Sequence, residues 1–354
     1  MMKQRVLLGM SGGIDSSVAA MLLKEQGFDI VGVTFRTFDS IRESCLAKEK
    51  GCCSVDSIME AKHLAEQLDI PHHILDFRDT FRDTVIANFV DEYRAGRTPN
   101  PCVLCNSHIK WGKMLQAAEQ FDCDFIATGH YARISEQQGH YFLRRAADTR
   151  KDQTYFLWTL TEDNLRRTIF PLGDYTKQQV REIAAQHGFV KLSQKTESQE
   201  ICFVPNNDYR TFLAAEGVKT EPGAYIDADG KVIGQHGGYT NYTIGQRKGL
   251  GVALGTPAFV THINPELNQV TLGAHDDLYT HTVRFRNGFF RGNPEQPVMA
   301  QIRYRSLPAE ARLIPSDEPN LNVLQFIEPV WAVTPGQSAV CYQNDLLVGG
   351  GFIE

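Results

Sequence analysis

Three groups of residues have the types and spacing for chemistry. The first is Gly9-Met10-Ser11-Gly12-Gly13-Ile14-Asp15-Ser16-Ser17. An apolar run of strand type, Val6 to Met10, leads into two adjacent glycines, and a helical pattern follows at Val18, Met21 and Leu22. A strand, a glycine turn and a helix start bring several backbone N–H groups to one point. The helix N-terminus adds partial positive charge there, which favours phosphate. Ser11, Ser16 and Ser17 can add hydroxyl donors. Asp15 is the odd member, because a carboxylate beside phosphate is repulsive unless Mg²⁺ lies between them. The segment therefore reads as a site for a metal-bound polyphosphate. It is not a Walker A loop, since no Lys follows the glycines until Lys24, and G-x-G-x-x-G is absent too.

The second group is Thr98-Pro99-Asn100-Pro101-Cys102-Val103-Leu104-Cys105-Asn106. Two prolines restrain an extended loop that presents side chains rather than packing them. Cys102 and Cys105, at C-x-x-C spacing, can share a metal or exchange a disulfide. The third is Cys202, alone in the apolar run Ile201 to Val204. Cys123 and Cys341 read as small core hydrophobes. Cys45, Cys52 and Cys53 could join Cys102 and Cys105 around zinc, but adjacent Cys52-Cys53 is poor geometry for a structural site. His72-His73 lacks an i,i+4 partner and reads as structural.

These residues need a scaffold. Strand patterns at Ile30 to Phe35, His72 to Phe77 and Phe125 to Thr128 alternate with helical ones at Ser57 to Leu68, Thr80 to Tyr93 and Ser107 to Phe121. Repeated βα units imply an α/β fold, a doubly wound parallel sheet with helices on both faces, and ligands bind beyond the carboxyl ends of such strands. Helical patterns follow at Leu160 to Thr168, Lys177 to His187 (capped by Asp174-Tyr175-Thr176) and Asp208 to Glu216. From about Glu221 the character turns to β, with turn signals at Asp229-Gly230 and Gly237-Gly238. The expected organisation is a catalytic domain over 1–216, with a helical extension over 152–216. A small β-rich central domain over 217–279 and a C-terminal β-barrel over 280–354 follow.

No apolar stretch approaches the ~20 residues needed to span a bilayer. The N-terminal apolar run is interrupted by Ser11-Gly12-Gly13 and Asp15, which does not suit a signal peptide. Eight cysteines without a secretory signal point to a reducing cytoplasm. The net charge of −6 is unevenly spread. His281 to Arg312 holds six arginines against two acids, whereas Leu313 to Glu354 holds five acids and no Lys or Arg. Arg144-Arg145 with Arg150-Lys151 is another basic cluster, and such patches can neutralise phosphates locally.

The S-G-G-x-D-S-S loop resembles the PP-loop of ATP pyrophosphatases, which cleave ATP between the α and β phosphates, adenylate a carbonyl oxygen and release pyrophosphate. Further motifs extend the resemblance over nearly the whole chain: Ala95 to Pro101, Ala127-Thr128-Gly129-His130-Tyr131, Lys151 to Leu157, Ile201-Cys202-Phe203, Gly245 to Gly251 and Thr334 to Val340. In this order the set resembles the tRNA-specific 2-thiouridylases, which replace the C2 oxygen of the wobble uridine with sulfur. That resemblance implies ATP and Mg²⁺ as cofactors, with Asp15 reaching the metal through phosphate. The implied partners are the anticodon region of tRNA and a sulfur-donor protein or sulfide. It also implies a cytoplasmic monomer with no membrane partner.

Residue by residue, Gly9, Met10, Ser11, Gly12, Gly13, Ile14, Asp15 and Ser16 would hold the ATP phosphates, with Phe35 and Gly129 near the adenosine. Cys105 matches the nucleophile, and Cys202 the cysteine that carries a persulfide or closes a disulfide with it. Asn100, Pro101 and Cys102 match the segment around the target base. His130, Lys151, Asp152, Gln153, Arg303, Tyr304 and Gln337 match tRNA contacts. Two departures stand out: Cys102 where Asp is usual, and Phe35 where Met is common. Sulfur could be delivered by a Cys202 persulfide, or by a [4Fe–4S] cluster on Cys102, Cys105 and Cys202. Competing readings are thiolation of a different base, an amidating synthetase, and an iron–sulfur or redox sensor that binds tRNA without turnover.

Overall fold

The computed structural model describes residues 3–38, 55–194, 201–252, 255–314, 316 and 318–354, so Cys45, Cys52 and Cys53 lie outside the described residues. The chain divides into two compact units. Residues 1–86, 102–207 and 345–347 make the first; 87–101, 208–344 and 348–354 make the second.

The strands of the first unit are β1 (Arg5–Gly9), β2 (Asp29–Arg36), β3 (His72–Asp76), β4 (Phe125–Ala127), a hairpin of β5 (Arg133–Gln137) and β6 (His140–Arg144), and β7 (Thr168–Ile169). Among the described residues β1 to β4 and β7 form a parallel sheet in the order β3-β2-β1-β4-β7. Val6, Leu7 and Leu8 have no exposed surface, which is why β1 reads as a continuous apolar run and lies in the middle. Val6 and Leu8 share a core with Val18, Met21 and Leu22 of α1 (Ile14–Glu25), Ala61 and Leu64 of α2 (Val55–Gln67), and Val180 and Ala184 of the helix Lys177–Gln186. Leu7 points to the other face, where the helix Met114–Gln120 packs. The expected doubly wound sheet is therefore present. The order in which strands are added reverses at β1, with β2 on one side and β4 on the other. The crevice past their carboxyl ends is where such sheets take ligands.

Two local expectations are corrected and one element is new. The helix expected from Ser107 begins at Pro101, running through Pro101–Leu104, a π-helical stretch Cys105–Lys113 and Met114–Gln120. Proline is well suited to a first helical turn, so Pro101 opens the helix instead of extending the loop. The span Leu160 to Thr168 holds only a short helix, Glu162–Arg166, with a Thr161 capping box, and Thr168 already belongs to β7. The β5–β6 hairpin was not anticipated; its outer residues are half-exposed and polar, which blurs the alternation.

In the second unit β8 (Gly223–Ile226), β9 (Val232–His236), β10 (Phe259–Asn264) and β11 (Gln269–Gly273) form a sheet in the order β10-β11-β8-β9. Tyr225, Tyr242, Val260, Val270 and Leu272 make its core. The remaining strands are β12 (Tyr279–Phe290), β13 (Val298–Gln301), β14 (Ala309–Ile314), β15 (Leu321–Trp331), β16 (Ser338–Gln343) and β17 (Leu346–Ile353). They run β12-β15-β14-β13-β16-β17, and β12 pairs again with β17, closing a barrel. A small β-rich domain and a barrel follow the α/β domain, as expected. The helix Tyr209–Ala215 groups with this unit: Tyr209 stacks on Tyr93 with centroids 4.9 Å apart, and Phe212 meets Phe89 edge-on at 5.8 Å.

Candidate functional site

The loop after β1 is held by its own serines. The Ser11 N–H donates to Ser16 Oγ at 3.1 Å, and the Ser16 and Ser17 hydroxyls donate to Gly13 O at 3.1 and 2.9 Å. Gly12 has φ +70°, and a Cβ there would lie 2.4 Å from Ser57 O, so backbone and space both require glycine. No side chain caps α1 at Gly13, which leaves the first N–H groups of the helix to the crevice. Met10 is anchored on both sides: its N–H donates to Val33 O at 2.7 Å and its carbonyl accepts from Thr34 Oγ1 at 2.7 Å. Phe35 is half-buried near the end of β2, its ring 5.4 Å from Phe77.

Asp15 departs from the sequence reading. Lys177 Nζ donates to Asp15 Oδ1 and Oδ2 at 2.7 and 2.9 Å, and Tyr131 OH donates to Oδ1 at 2.8 Å. Lys177 already neutralises this carboxylate, so the repulsion that argued for Mg²⁺ at Asp15 is absent.

Gly129 follows β4, on the other side of the reversal point. A Cβ on it would sit 2.7 Å from Ser16 N and 2.8 Å from Asp15 C, so β4's loop rests directly on the start of α1. His130 is only 8% exposed; Nδ1 shares a hydrogen bond with Thr128 Oγ1 at 2.7 Å, and Nε2 lies 3.3 Å from Lys110 Nζ. Burial, then the Lys110 charge, hold its pKa well below the usual histidine value, so the ring is neutral.

Cys102 and Cys105 lie on the first turns of the helical stretch that Pro101 opens, and Cys105 begins its π-helical part. Such segments shift side-chain register and recur at functional sites. Cys102 is exposed and Cys105 half-exposed. The surrounding protein desolvates the Cys102 thiol and raises its pKa, with Lys110 pulling the other way. Asn106 is 2% exposed; Nδ2 donates to Phe156 O at 3.0 Å. Cys202 is an exposed free thiol in the turn closed by Val204 N–H to Ile201 O. Its neighbour Phe203, 2% exposed, anchors that turn edge-on against Phe81 at 5.5 Å. Cys123 and Cys341 are core residues whose thiols burial pushes up to about 11 and about 12. Among the described residues no three His, Cys, Asp or Glu side chains are gathered to hold a metal. Cys102, Cys105 and Cys202 therefore do not fit a cluster in this conformation.

Within the second unit two distant motifs meet. Gln337 Nε2 donates to Thr98 O at 3.1 Å and Pro99 O at 2.8 Å, Thr98 N–H donates to Pro335 O at 2.8 Å, and Asn100 Nδ2 reaches Ser338 Oγ at 3.3 Å. Gly336, at φ +88°, would place a Cβ 2.7 Å from Thr98 O. Asn100 and Pro101 are buried in this arrangement. Arg303 is half-buried, its guanidinium donating to the Ala332 carbonyl and Thr334 Oγ1 and lying over the Trp331 ring at 5.7 Å. Tyr304 beside it is half-buried.

In the first unit Asp152 is 8% exposed and accepts from Ala146 N–H at 3.0 Å and Thr154 Oγ1 at 2.7 Å. Burial raises its pKa against those hydrogen bonds. Gln153 Oε1 accepts the Tyr131 N–H at 2.9 Å, and Lys151 is half-buried. The basic clusters are less free than their sequence suggests. Arg144 pairs with Asp345, Arg145 with Asp152 at 3.4 Å, and Arg284 and Arg286 with Glu318 and Glu354. The acidic C-terminal stretch thus neutralises part of the basic stretch before it.

Three family models match in succession: "tRNA methyl transferase HUP domain" over residues 4–206, "tRNA methyl transferase PRC-barrel domain" over 210–274, and "Aminomethyltransferase beta-barrel domain" over 275–353. A tRNA-specific 2-thiouridylase MnmA of Amoebophilus asiaticus is 47% identical, over 100% of this chain and 96% of that protein. Proteins of the same description from Clostridium perfringens and Salinibacter ruber are 45% and 46% identical, over 100% and 99% of this chain and 99% and 94% of theirs. The chain belongs to the tRNA-specific 2-thiouridylase family. Likeness to a solved 4-thiouridine synthetase–RNA complex with bound ATP is weak, with a TM-score of 0.36 and 17% identity over 60% of this chain and 50% of that one.

For a member of this family, sequence reasoning passed over Lys177, Tyr131 and Lys110. Asp15 carried the one available signal, since an unmatched carboxylate in a phosphate loop demands a cation from somewhere. Nothing in the sequence said it would come from Lys177. Among the described residues no helix is long and apolar enough to cross a membrane.

Proposed function

We propose that this protein catalyses ATP-dependent 2-thiolation of the wobble uridine of tRNA. The observation that carries the reading is the presence, in one compact unit, of a glycine–serine loop at the sheet's reversal point and the cysteines Cys105 and Cys202. The full-length relatives bear the same activity in their names.

A uracil carbonyl oxygen is a poor leaving group, so it must first be activated. The C2 oxygen attacks the α-phosphorus of ATP, pyrophosphate leaves, and the loop Gly9 to Ser16 with the N-terminus of α1 stabilises the charge that develops. Phe35 and Gly129 flank the adenosine. Cys202 carries the incoming sulfur as a persulfide: its thiolate attacks the outer sulfur of a donor protein's persulfide, and the donor's thiolate leaves with the electron pair of the broken S–S bond. The terminal sulfur on Cys202 attacks C2, and AMP departs with the electron pair of the C2–O bond. The Cys105 thiolate then attacks Cys202 Sγ, the persulfide S–S bond breaks, and its pair passes to the sulfur on C2. The product is 2-thiouridine with a Cys105–Cys202 disulfide, which an external thiol reductant must reopen. Asn100, Pro101 and Cys102 surround the base, which leaves the anticodon stack to reach the site. Lys151 and Tyr304 contact the RNA, Arg303 and Gln337 support the loops of their own unit, and the chain acts as a monomer. No step is assigned to an iron–sulfur cluster.

Incubation with ATP, Mg²⁺, a sulfur source, a thiol reductant and unmodified tRNA, followed by nucleoside mass spectrometry, tests the reading. It should yield 2-thiouridine and tRNA-dependent pyrophosphate. Cys105→Ala and Cys202→Ala should abolish 2-thiouridine. Cys102→Ala should retain it, and loading with iron and sulfide should leave no broad absorbance near ~400 nm. Pyrophosphate release indifferent to tRNA, with no thiolated nucleoside from any donor, would sink the proposal.

A further inference from the structure

Asp15 is held by Lys177 and Tyr131, and both holders are tied to the same loop. Tyr131 exchanges two backbone-directed hydrogen bonds with Gln153: its N–H donates to Gln153 Oε1 at 2.9 Å, and its carbonyl accepts the Gln153 N–H at 2.9 Å. The Lys177 N–H donates to Asp148 Oδ2 at 3.0 Å, while Asp148 Oδ1 accepts the Arg150 N–H at 3.1 Å. Asp148 and Lys177 are only 6% and 8% exposed, so neither tie competes with open solvent. The segment Asp148 to Gln153 cannot shift without moving the two groups that grip Asp15. Asp15 is the second residue of α1, whose N-terminal N–H groups line the nucleotide loop.

We propose that Tyr131 and Lys177 are positioning residues that couple RNA bound at Lys151 to Gln153 to the nucleotide loop, through their shared grip on Asp15. This rests on the functional reading above. It gives that reading a means of restricting attack on the α-phosphorus to the RNA-bound enzyme, since without the uridine oxygen only water could accept the adenylyl group and ATP would be hydrolysed. Coupling of this kind is reciprocal: tRNA tightens ATP by the factor by which ATP tightens tRNA.

The test measures binding of a non-cleavable α,β-methylene ATP analogue to the full-length protein with and without saturating unmodified tRNA, and tRNA binding with and without the analogue. The wild type should show matching factors above about fivefold, the lower range of coupling energies. Tyr131→Phe removes one hydroxyl and keeps the ring; the factor should fall by about tenfold, or to unity, the scale of a lost hydrogen bond to a charged group. Lys177→Met should behave likewise, and Lys177→Arg, which keeps the charge, should restore much of the factor. Thermal melts identify a variant that does not fold; if Lys177→Met is one, Tyr131→Phe decides. Wild-type coupling in the folded variants, or a wild type that binds both ligands without coupling, overturns the proposal alone. A wild type that binds no tRNA overturns the function and this inference with it.

Discussion

Gln337 offers two distinguishable roles. The family resemblance makes it an RNA contact, whereas its Nε2 donates to Thr98 O at 3.1 Å and Pro99 O at 2.8 Å, the entry to the Asn100–Pro101 segment. If the second role dominates, Gln337→Ala removes two neutral hydrogen bonds worth about 0.5–1.5 kcal/mol each, so the segment should loosen by about 1–3 kcal/mol. The Thr98 amide reports on this directly, because its N–H donates to Pro335 O at 2.8 Å, two residues from Gln337. At about 1.4 kcal/mol per tenfold, exchange over 97–100 should accelerate by about five- to 150-fold. Hydrogen–deuterium exchange of the free protein, read by peptide mass, measures it without RNA present. Gly336→Ala should exceed it, since the new Cβ would meet Thr98 O at 2.7 Å in a backbone with φ +88°. Exchange within twofold of wild type in Gln337→Ala, together with a tenfold loss of tRNA affinity, would refute the loop-holding role and leave direct contact.

Gly129→Ala should weaken ATP binding at least tenfold by calorimetry, because its Cβ would press on Ser16 N and Asp15 C at 2.7 and 2.8 Å; affinity within twofold of wild type would contradict the packing. Arg303→Ala should lower the unfolding midpoint and leave the salt slope of tRNA binding unchanged, since the guanidinium sits on protein carbonyls and the Trp331 ring; a slope reduced by nearly one ion would assign it to phosphate. His130 is held neutral, its folded pKa well below the unfolded ~6.5, so the folded state binds fewer protons between the two values. Its contribution to stability is therefore complete above pH ~6.5 and is lost as pH falls toward the folded pKa, by at most about 1.4 kcal/mol per pH unit. His72, also lowered by burial, acts in the same sense, so the check is the difference in urea-midpoint slope between wild type and His130→Gln from pH 7 to 5; parallel slopes would rule His130 out.

The sheet and the nucleotide loop were legible because their signals are local. Val6 to Leu8 is buried on both faces and reads as an unbroken apolar run, and the two glycines and three serines fall within one turn of chain. Thr176 caps its helix with Gln179 in return, a pattern visible within four residues. What the sequence did not display was set by partners far along the chain. Lys177 neutralises Asp15 across 162 positions, and Gln337 grips Thr98 across 239. Periodicity says nothing about either. Pro101 was misread for a different reason: proline suits both an extended loop and the first turn of a helix, and only the burial of Val103, Asn106 and Ile109 behind it decides for the helix.

That long-range pattern bears on how a motif should be weighed. His130, Asp152, Gln153, Arg303 and Gln337 were all assigned to RNA by resemblance, yet in the free protein each has a polar group on another part of its own unit. A residue that fixes the backbone of a contact loop is as costly to replace as one that touches the ligand, because a displacement of about 1 Å at a reacting group can cost a hundredfold in rate. Loss of activity on substitution therefore cannot separate the two roles. The separation lies in observables that move without RNA: amide exchange at 97–100 for Gln337, the unfolding midpoint for Arg303, the pH slope for His130. Where these shift in the free protein, the motif holds the loops that present Asn100, Pro101 and Lys151. The electrostatic contact with RNA then falls to cations held more loosely by carboxylates, among them Arg150, whose side chain is 92% exposed and lies 3.9 Å from Asp148 Oδ1.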